Sequence, residues 1–446
     1  MTSNLNVYIP NYIIAIIAIT VFSVDAFTQT TAIPDSSFEQ ALIDINVDTN
    51  GLNGNILNSD AEGVLSLNIF SKNITSLEGI HAFTDLKYLY CYFNNIETID
   101  ISQNLELEVL DIENNSIQSL DISNNLNLKE LYISNNQLND LDISNNLQLE
   151  LLSCNLNNLN ELDVSNNMNL EVLWCYSNNL TVLNVANNVL LESLFCGNNN
   201  LQQLDISNTN FLESIACSEN NLQSLSFSNC IDLRYLDVSN NNLNSIDISS
   251  NLDLRRLLCS NNNLTELDLS YTNDLLLFYA NGNFIEELDF TSNTEIKYVH
   301  VSDNLLTSID MRNNQNAIVN DFRSLNNPSL TCLFVDNQDA DFLSDWEVDA
   351  LTTFVETENE CNALSIEENE ETINFEMYPN PTTNYLNINL IDEANVIIYN
   401  INGQSVFSKE LNIGLNNFEL PSIRSGLYMV KIFSENKTIT RKLIVK

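Results

Sequence analysis

Apolar residues recur along most of the chain at fixed intervals. From Leu86 to Asn316 the sequence divides without a gap into eleven units of 21 residues, with consensus L-x-x-L-x-C-x-x-N-x-L-x-x-L-D-I-S-x-N-x-x. One unit runs from Leu149 to Asn169, and a degenerate unit of 22 residues, Val64 to Asp85, precedes the first. Positions 1, 4, 11, 14 and 16 are apolar in all eleven units, and position 6 is Cys, Ile, Val or Ala. A coil this short cannot bury its own apolar side chains, but a stack of coils can, so the period predicts a solenoid. Leu-x-Cys at positions 4 to 6 alternates inward and outward as a strand does, so each coil adds one strand to a parallel sheet. Positions 14 to 17 alternate again and predict a strand or extended rung on the opposite side. Asn fills position 9 in every unit, from Asn94 to Asn304. There the backbone turns away from the strand, and a buried Asn column is expected to pair the amide and carbonyl groups that the turn leaves open.

Both ends of a parallel stack are exposed sheet edges that need covering. The segment Ile33-Pro-Asp-Ser-Ser-Phe-Glu-Gln-Ala-Leu-Ile-Asp44 predicts a short capping helix with Asp35 or Ser36 as N-cap. Residues 317–361 follow the last unit as the opposite cap. Of nine cysteines, six (Cys91, Cys154, Cys175, Cys196, Cys217 and Cys259) share position 6 and read as small apolar core fillers. Cys230 falls at a turn and is expected to be free. Cys332 and Cys361 lie outside the repeat and are expected to pair and clamp the cap.

Residues 362–373 are acidic and aperiodic, a linker. After them the period changes to short alternating strands: Tyr385 to Leu390, Val396 to Tyr399 and Ser405 to Ser408 around the turn signal Asn402-Gly403, then Gly426 to Phe433 and Thr438 to Val445. Such strands over about 70 residues predict a β-sandwich.

The 21-residue unit resembles the bacterial variety of the leucine-rich-repeat family. The flanks Ile33 to Phe38 and Asn327-Pro-Ser-Leu-Thr-Cys332 resemble those of such proteins in the Bacteroidota. Three tail motifs are similar to the C-terminal sorting domain of type IX secretion substrates: Tyr378-Pro-Asn-Pro-Thr382, Tyr399-Asn-Ile-Asn-Gly403, and Gly426-Leu-Tyr-Met-Val430 with the terminal Lys442-Leu-Ile-Val-Lys446. The resemblance gives sorting roles to Pro379, Asn380, Pro381, Gly403, Gly426 and Tyr428. It implies the type IX machinery as a partner, and a protein released or attached at the outer cell surface. The expected fold is therefore a leucine-rich-repeat solenoid of parallel β-sheet coils followed by a small all-β sandwich. The expected organisation is a signal peptide over 1–26, an N-terminal cap over 27–63, twelve coils over 64–316, a C-terminal cap over 317–361, a linker over 362–373 and a sorting domain over 374–446.

Charge narrows the choice of partners. The chain carries 60 acidic and 16 basic residues, a net of -44. No nucleic-acid partner is expected and anionic membrane surfaces are disfavoured, because both call for a basic face. The tail from Ile373 is nearly neutral, with seven basic and six acidic residues, and the shift marks a boundary. The apolar run Tyr12 to Val24, followed by Ala26, has the length of a signal-peptide core and is short for a bilayer span. No integral span is expected once it is cleaved.

No nucleophile or metal-ligand constellation surrounds either histidine, His81 or His300, so neither an enzyme nor a cofactor or bound metal is expected. Asp at position 15 in nine of eleven units forms a carboxylate column that could bind calcium, but its spacing differs from calcium loops, and Asp can instead accept hydrogen bonds from Ser or backbone. Positions 3, 5, 7 and 8 face solvent on the sheet side, and there aromatics gather. One group is Tyr88, Tyr90, Tyr92 and Phe93; another is Trp174, Tyr176 and Phe195; a third is Tyr279, Tyr298 and His300. Aromatics grouped on one exposed face suggest recognition of a protein or glycan ligand, although strand propensity also favours them. The expected function is adhesion or binding at the cell surface. The alternatives are a structural surface component, or an accessory to a separate enzyme.

Overall fold

The computed structural model describes residues 29–364, 375–420, 423–434 and 437–446. The expected signal peptide and most of the expected linker lie outside them. The chain divides between Phe354 and Val355 into two compact units.

The first unit is built around one parallel sheet of fourteen strands. Each strand is three residues in a regular coil, as in Glu130–Tyr132, Leu151–Ser153 and Val172–Trp174. The eleven regular coils have the same length, so the register does not slip among them. Leu131 pairs with Leu152, and Leu152 with Leu173. Position 1, 4 and 11 side chains such as Leu149, Leu152 and Leu159 are fully buried, and all belong to one continuous core. Each buried leucine contributes on the order of 1.5–3 kcal/mol, so the stack as a whole rather than any single coil is the folding unit.

Fourteen strands are two more than the twelve coils counted up to Asn316. The additional pair, Asp321–Ser324 and Glu347–Val348, lies in the stretch read as C-terminal cap. Asn327 there makes the same bonds as the repeat asparagines, to the carbonyls of Val301 and Ser324 and from the Leu306 amide. Its distance from Asn304 is 23 residues rather than 21, which hides it from a strict period.

The rung on the opposite side is less regular. It forms a sheet only at the C-terminal end, through Glu287–Asp289, Ser308–Asp310, Cys332–Phe334 and Thr353–Val355. Elsewhere it is an extended stretch, with one isolated bridge between Asn184 and Asp205.

The asparagine column at position 9 is present and closed. Asn157 Nδ2 donates to the carbonyls of Ile133 and Cys154 at 3.0 and 3.1 Å. A second column, at position 19, follows from the same consensus but emerges only in the structure. Asn125, Asn146 and Asn167 are fully buried, and each donates to two carbonyls of the preceding coil. Their Oδ1 atoms have no partner, which explains why Thr209, Cys230 and Thr272 can replace Asn in this column but never at position 9. Cys230 therefore sits in the core, its thiol against the Thr209 carbonyl, rather than at an open turn. Position 8 is left-handed in coil after coil, with φ of 55° at Asn114, 52° at Asn135 and 51° at Asn198.

At the N-terminal end the helix Ser36–Asp44 covers the first coil with Phe38, Ala41 and Leu42. Asp35 is its N-cap: Oδ1 accepts from the Ser37 and Phe38 amides, while Oδ2 accepts from Thr75 and Ser76 of the first coil. At the other end Trp346 closes the core, stacked on Phe322 at 4.4 Å. Cys332 and Cys361 are both disulfide-bonded, and the other seven cysteines are free.

The second unit holds a three-stranded antiparallel sheet, Phe375–Tyr378, Tyr385–Leu390 and Gly414–Glu419. A four-stranded sheet follows, in the order Ser405–Leu411, Ala394–Asn400, Gly426–Ser434, Lys437–Val445. Leu386 and Ile388 of one sheet share a core with Val396, Val430 and Ile432 of the other, which makes a sandwich. Two of its strands, 375–378 and 414–419, have no clear alternation in sequence and are found only here.

Candidate functional site

The outward side chains of the parallel sheet stand at positions 3 and 5. In-register pairing aligns them in two columns along its face. Position 5 runs Tyr90, Asp111, Tyr132, Ser153, Trp174, Phe195, Ala216, Asp237, Leu258, Tyr279, His300. These neighbours stand about 4.8 Å apart, close enough for large rings to stack.

The three aromatic groups take different forms. Tyr88 and Tyr90 share a strand and are half-buried. Tyr92 stacks on Phe70 of the preceding coil, with centroids 4.9 Å apart. Phe93 stands 58% exposed in the left-handed conformation. In the middle of the sheet Trp174 stacks on Phe195 at 5.9 Å, and Phe195 leans on Tyr235 at 6.3 Å, forming a track of three rings. Trp174 Nε1 donates to Ser193 Oγ, which fixes the indole, and Tyr176 lies half-buried beside it. At the far end Tyr279 stacks on His300 at 4.1 Å, with Tyr298 exposed on the same strand as His300. His300 Nε2 lies 3.0 Å from Asp321 Oδ2, and Arg323 pairs with the same carboxylate.

Several residues of this face escaped the sequence reading. Arg234, Arg255 and Arg256 line a shallow groove with Phe195, Ser214 and Tyr235. Arg256 stands in register beside Tyr235, and Arg234 pairs with Glu213. A basic spot is conspicuous on a chain with only 16 Lys and Arg, and the signal was available as arginines one coil apart.

Between the first two aromatic groups lies a polar patch. Ser153 Oγ contacts Ser134 Oγ at 2.7 Å and Glu113 at 3.2 Å, and Tyr132 donates to Glu130. Asp111 is flanked in its column by Tyr90 and Tyr132. Burial there, aided by the Glu113 charge, pushes its carboxyl up to about 6.

Another set of apolar side chains is exposed on the turn leading into each strand. Leu105, Leu126, Leu147, Met168, Ile231 and Leu252 are each at least 50% exposed, all at position 20. The Asp column of position 15 is solvated. The hydroxyl and then the amide of the Ser two residues on hold the Asp121, Asp142 and Asp163 carboxyls below the usual range, each carboxylate accepting from that amide. Among the described residues no group of three or more His, Cys, Asp and Glu side chains gathers as a metal cluster, and no helix is long and apolar enough to cross a membrane.

In the second unit the segment 379–382 meets the last strand. Asn380 donates to the Lys442 carbonyl and accepts from the Ile444 amide, and Thr382 exchanges backbone bonds with Ile444 and Lys446. The bonds preceding Pro379 and Pro381 are cis. Gly403 takes φ of 73° in the turn predicted for it, and Tyr428 OH donates to the Arg424 carbonyl. Gly426 opens the strand that carries Tyr428.

Residues 376–446 match the secretion system C-terminal sorting domain. In fold, the chain is similar to the functional domain of the internalin InlJ from Listeria monocytogenes, which includes a cysteine ladder. That match has 24% identity and a TM-score of 0.62, and covers 94% of this chain and 99% of the other. It is also similar to a leucine-rich-repeat protein of Leptospira interrogans, at 20% identity and a TM-score of 0.52 over 64% of this chain and 84% of the other. InlF of Listeria monocytogenes matches at 19% identity and a TM-score of 0.51, covering 72% and 92%. No curated protein matches the sequence. The chain is a leucine-rich-repeat solenoid that ends in a type IX C-terminal sorting domain, the mark of a protein exported to be released or attached at the outer cell surface.

Proposed function

We propose that this is a non-enzymatic binding protein that captures a ligand on the outward face of its parallel sheet. The observation that carries the reading is the track Trp174–Phe195–Tyr235, set beside Arg234, Arg255 and Arg256. Stacked rings supply large, rigid contact area at low entropic cost, and guanidinium groups beside them pair with carboxylates or lie flat on planar groups. A net-negative protein that keeps three of its seven arginines beside half-buried, stacked aromatics is suited to an acidic segment of a partner protein or an acidic glycan. The groups at Tyr88, Tyr90 and Tyr92 and at Tyr279, Tyr298 and His300 would extend the contact along the sheet. The similar internalin folds favour a binding scaffold by analogy alone.

Capture of partners from an envelope fraction, together with a glycan array, tests the reading. Trp174→Ala with Phe195→Ala, and separately Arg234→Ala with Arg256→Ala, should each abolish binding while leaving the melting temperature within a few degrees. Variants that keep full binding would move the ligand off this face. Variants that lose only stability would favour a structural surface component.

A further inference from the structure

The N-terminal cap contains a loop with the layout of a cation site. Between the helix Ser36–Asp44 and the short helix Asn58–Ala61, the chain reads Asp48-Thr-Asn50-Gly-Leu-Asn53-Gly54-Asn55-Ile-Leu-Asn-Ser-Asp60. Asp48 is only 5% exposed. Its Oδ1 accepts from the Asn50 amide at 3.0 Å, and its Oδ2 is buried with no hydrogen-bond partner. An orphan carboxylate oxygen at such depth is costly unless something cationic or protic faces it.

The neighbouring oxygens point the same way. Asn50 Nδ2 donates to Asn55 Oδ1 at 3.0 Å, which turns the Asn50 amide oxygen towards Asp48 Oδ1 and the Asn55 carbonyl, the latter 3.3 Å away. Three oxygens converge there with no proton among them. Turning the Asn50 amide over would place its nitrogen against both acceptors. It would also exchange the bond to Asn55 Oδ1 for one from Asn53 Nδ2 at 3.2 Å, and would leave Asp48 Oδ2 still unpartnered. A bound cation gives the Asp48 carboxylate the partner that neither orientation of the amide supplies.

Further negative charge surrounds the place. Glu39, itself 2% exposed, accepts through one oxygen from the amides of Asn53, Gly54 and Asn55 and so fixes the loop. Asp60 accepts from both the amide and the hydroxyl of Thr49. Burial raises the Asp48 carboxyl, and the Glu39 and Asp60 charges raise it further, against the Asn50 and Gly51 amides.

We propose that this loop binds one calcium ion, through the Asp48 carboxylate, the Asn50 amide oxygen and the Asn55 carbonyl, with Asp60 as the second acidic group. The all-oxygen set with mixed carboxylate, amide and carbonyl donors suits calcium better than magnesium, which demands a tight octahedron and keeps its waters. The spacing supports this. In a twelve-residue calcium loop the acidic and amide ligands begin at positions 1 and 3, a glycine turns the chain at 6, a carbonyl follows at 7, and an acid closes at 12. Counted from Asp48, Gly54 with φ of 84°, the Asn55 carbonyl and Asp60 each fall one residue later. The ion departs from the sequence-based expectation of no metal, because a loop lengthened by one residue does not register as a motif.

The test uses the full chain, stripped with EDTA and dialysed, and titrated with calcium chloride by calorimetry. One calcium per chain should bind with Kd on the order of 10⁻⁴ M, the range of extracellular calcium modules, and the melting temperature should rise on saturation. Asp48→Asn and Asp60→Asn should each weaken binding at least tenfold, with far-UV circular dichroism unchanged, while Asp163→Asn in the solvated column titrates as the parent does. No heat and no melting shift up to about 10 mM calcium, unaltered titration of both loop variants, or an equal shift with magnesium would overturn the assignment.

Discussion

Asn157 Oδ1 accepts a hydrogen bond from the backbone amide of Leu138, nineteen residues earlier in the preceding coil, at 3.0 Å. The same side chain donates to two carbonyls, so one residue ties together two coils and its own turn. Replacing Asn157 by Ala strands three buried backbone groups at about 1–3 kcal/mol each before relaxation, so a loss of roughly 3 kcal/mol or more is expected in urea unfolding. Asn146→Thr should cost about 1 kcal/mol or less, because Thr occupies the same column at Thr209 and Thr272. Equal losses for the two would mean that the columns do not differ in how fully they are bonded.

Leu156 takes φ of 55° with its side chain 47% exposed, at the position where Asn135 and Asn198 take 52° and 51°. A left-handed β-carbon costs a non-glycine residue roughly 1–2 kcal/mol, which Asn partly avoids. Leu156→Asn should therefore stabilise the chain by about 0.5–1 kcal/mol, read as a higher denaturation midpoint at unchanged slope.

The position-6 thiols are sealed in the core. Burial pushes Cys154 up to about 12, and Cys175, Cys196 and Cys217 also lie well above the ordinary value of 9.0. In the unfolded chain these thiols ionise near 9, so the stability they contribute is complete below that pH and falls as pH rises towards 12. The midpoint of thermal unfolding should drop steadily above pH 9, and a variant with Ala at these four positions should show a shallower decline. In the native protein the four thiols should not react with a water-soluble disulfide reagent at pH 8, and they should react after denaturation.

Asp111 should behave in the opposite sense from the solvated Asp column. Its carboxyl is held up near 6 by burial and by Glu113, so charging it opposes folding as pH rises from about 4 through 6. Asp111→Asn should raise the melting temperature at pH 7, with the gain vanishing below pH 4. Asp163→Asn, which removes a carboxylate that caps a turn, should lower it slightly at pH 7.

Much of this protein could be read without coordinates. The in-and-out direction of each side chain is local: alternation at Leu152 and Cys154 decides which atoms face the core, and a constant coil length repeats the decision at Leu173 and Cys175. The position-9 column, the capping helix with Asp35 and the Asn402-Gly403 hairpin are local or strictly periodic in the same way. What the sequence left open depends on geometry across coils. The 23-residue step to Asn327 breaks the period but not the stack, because the strand pairing and the buried Asn327 bonds keep register. Phe195 meets Tyr235, 40 residues on, along a diagonal that no single repeat contains. The arginine groove and the Asp48 loop arise likewise from groups that converge only when the turns close. Period and polarity along a chain are set by each residue and its near neighbours; which side chains share a surface is set by how the coils pack.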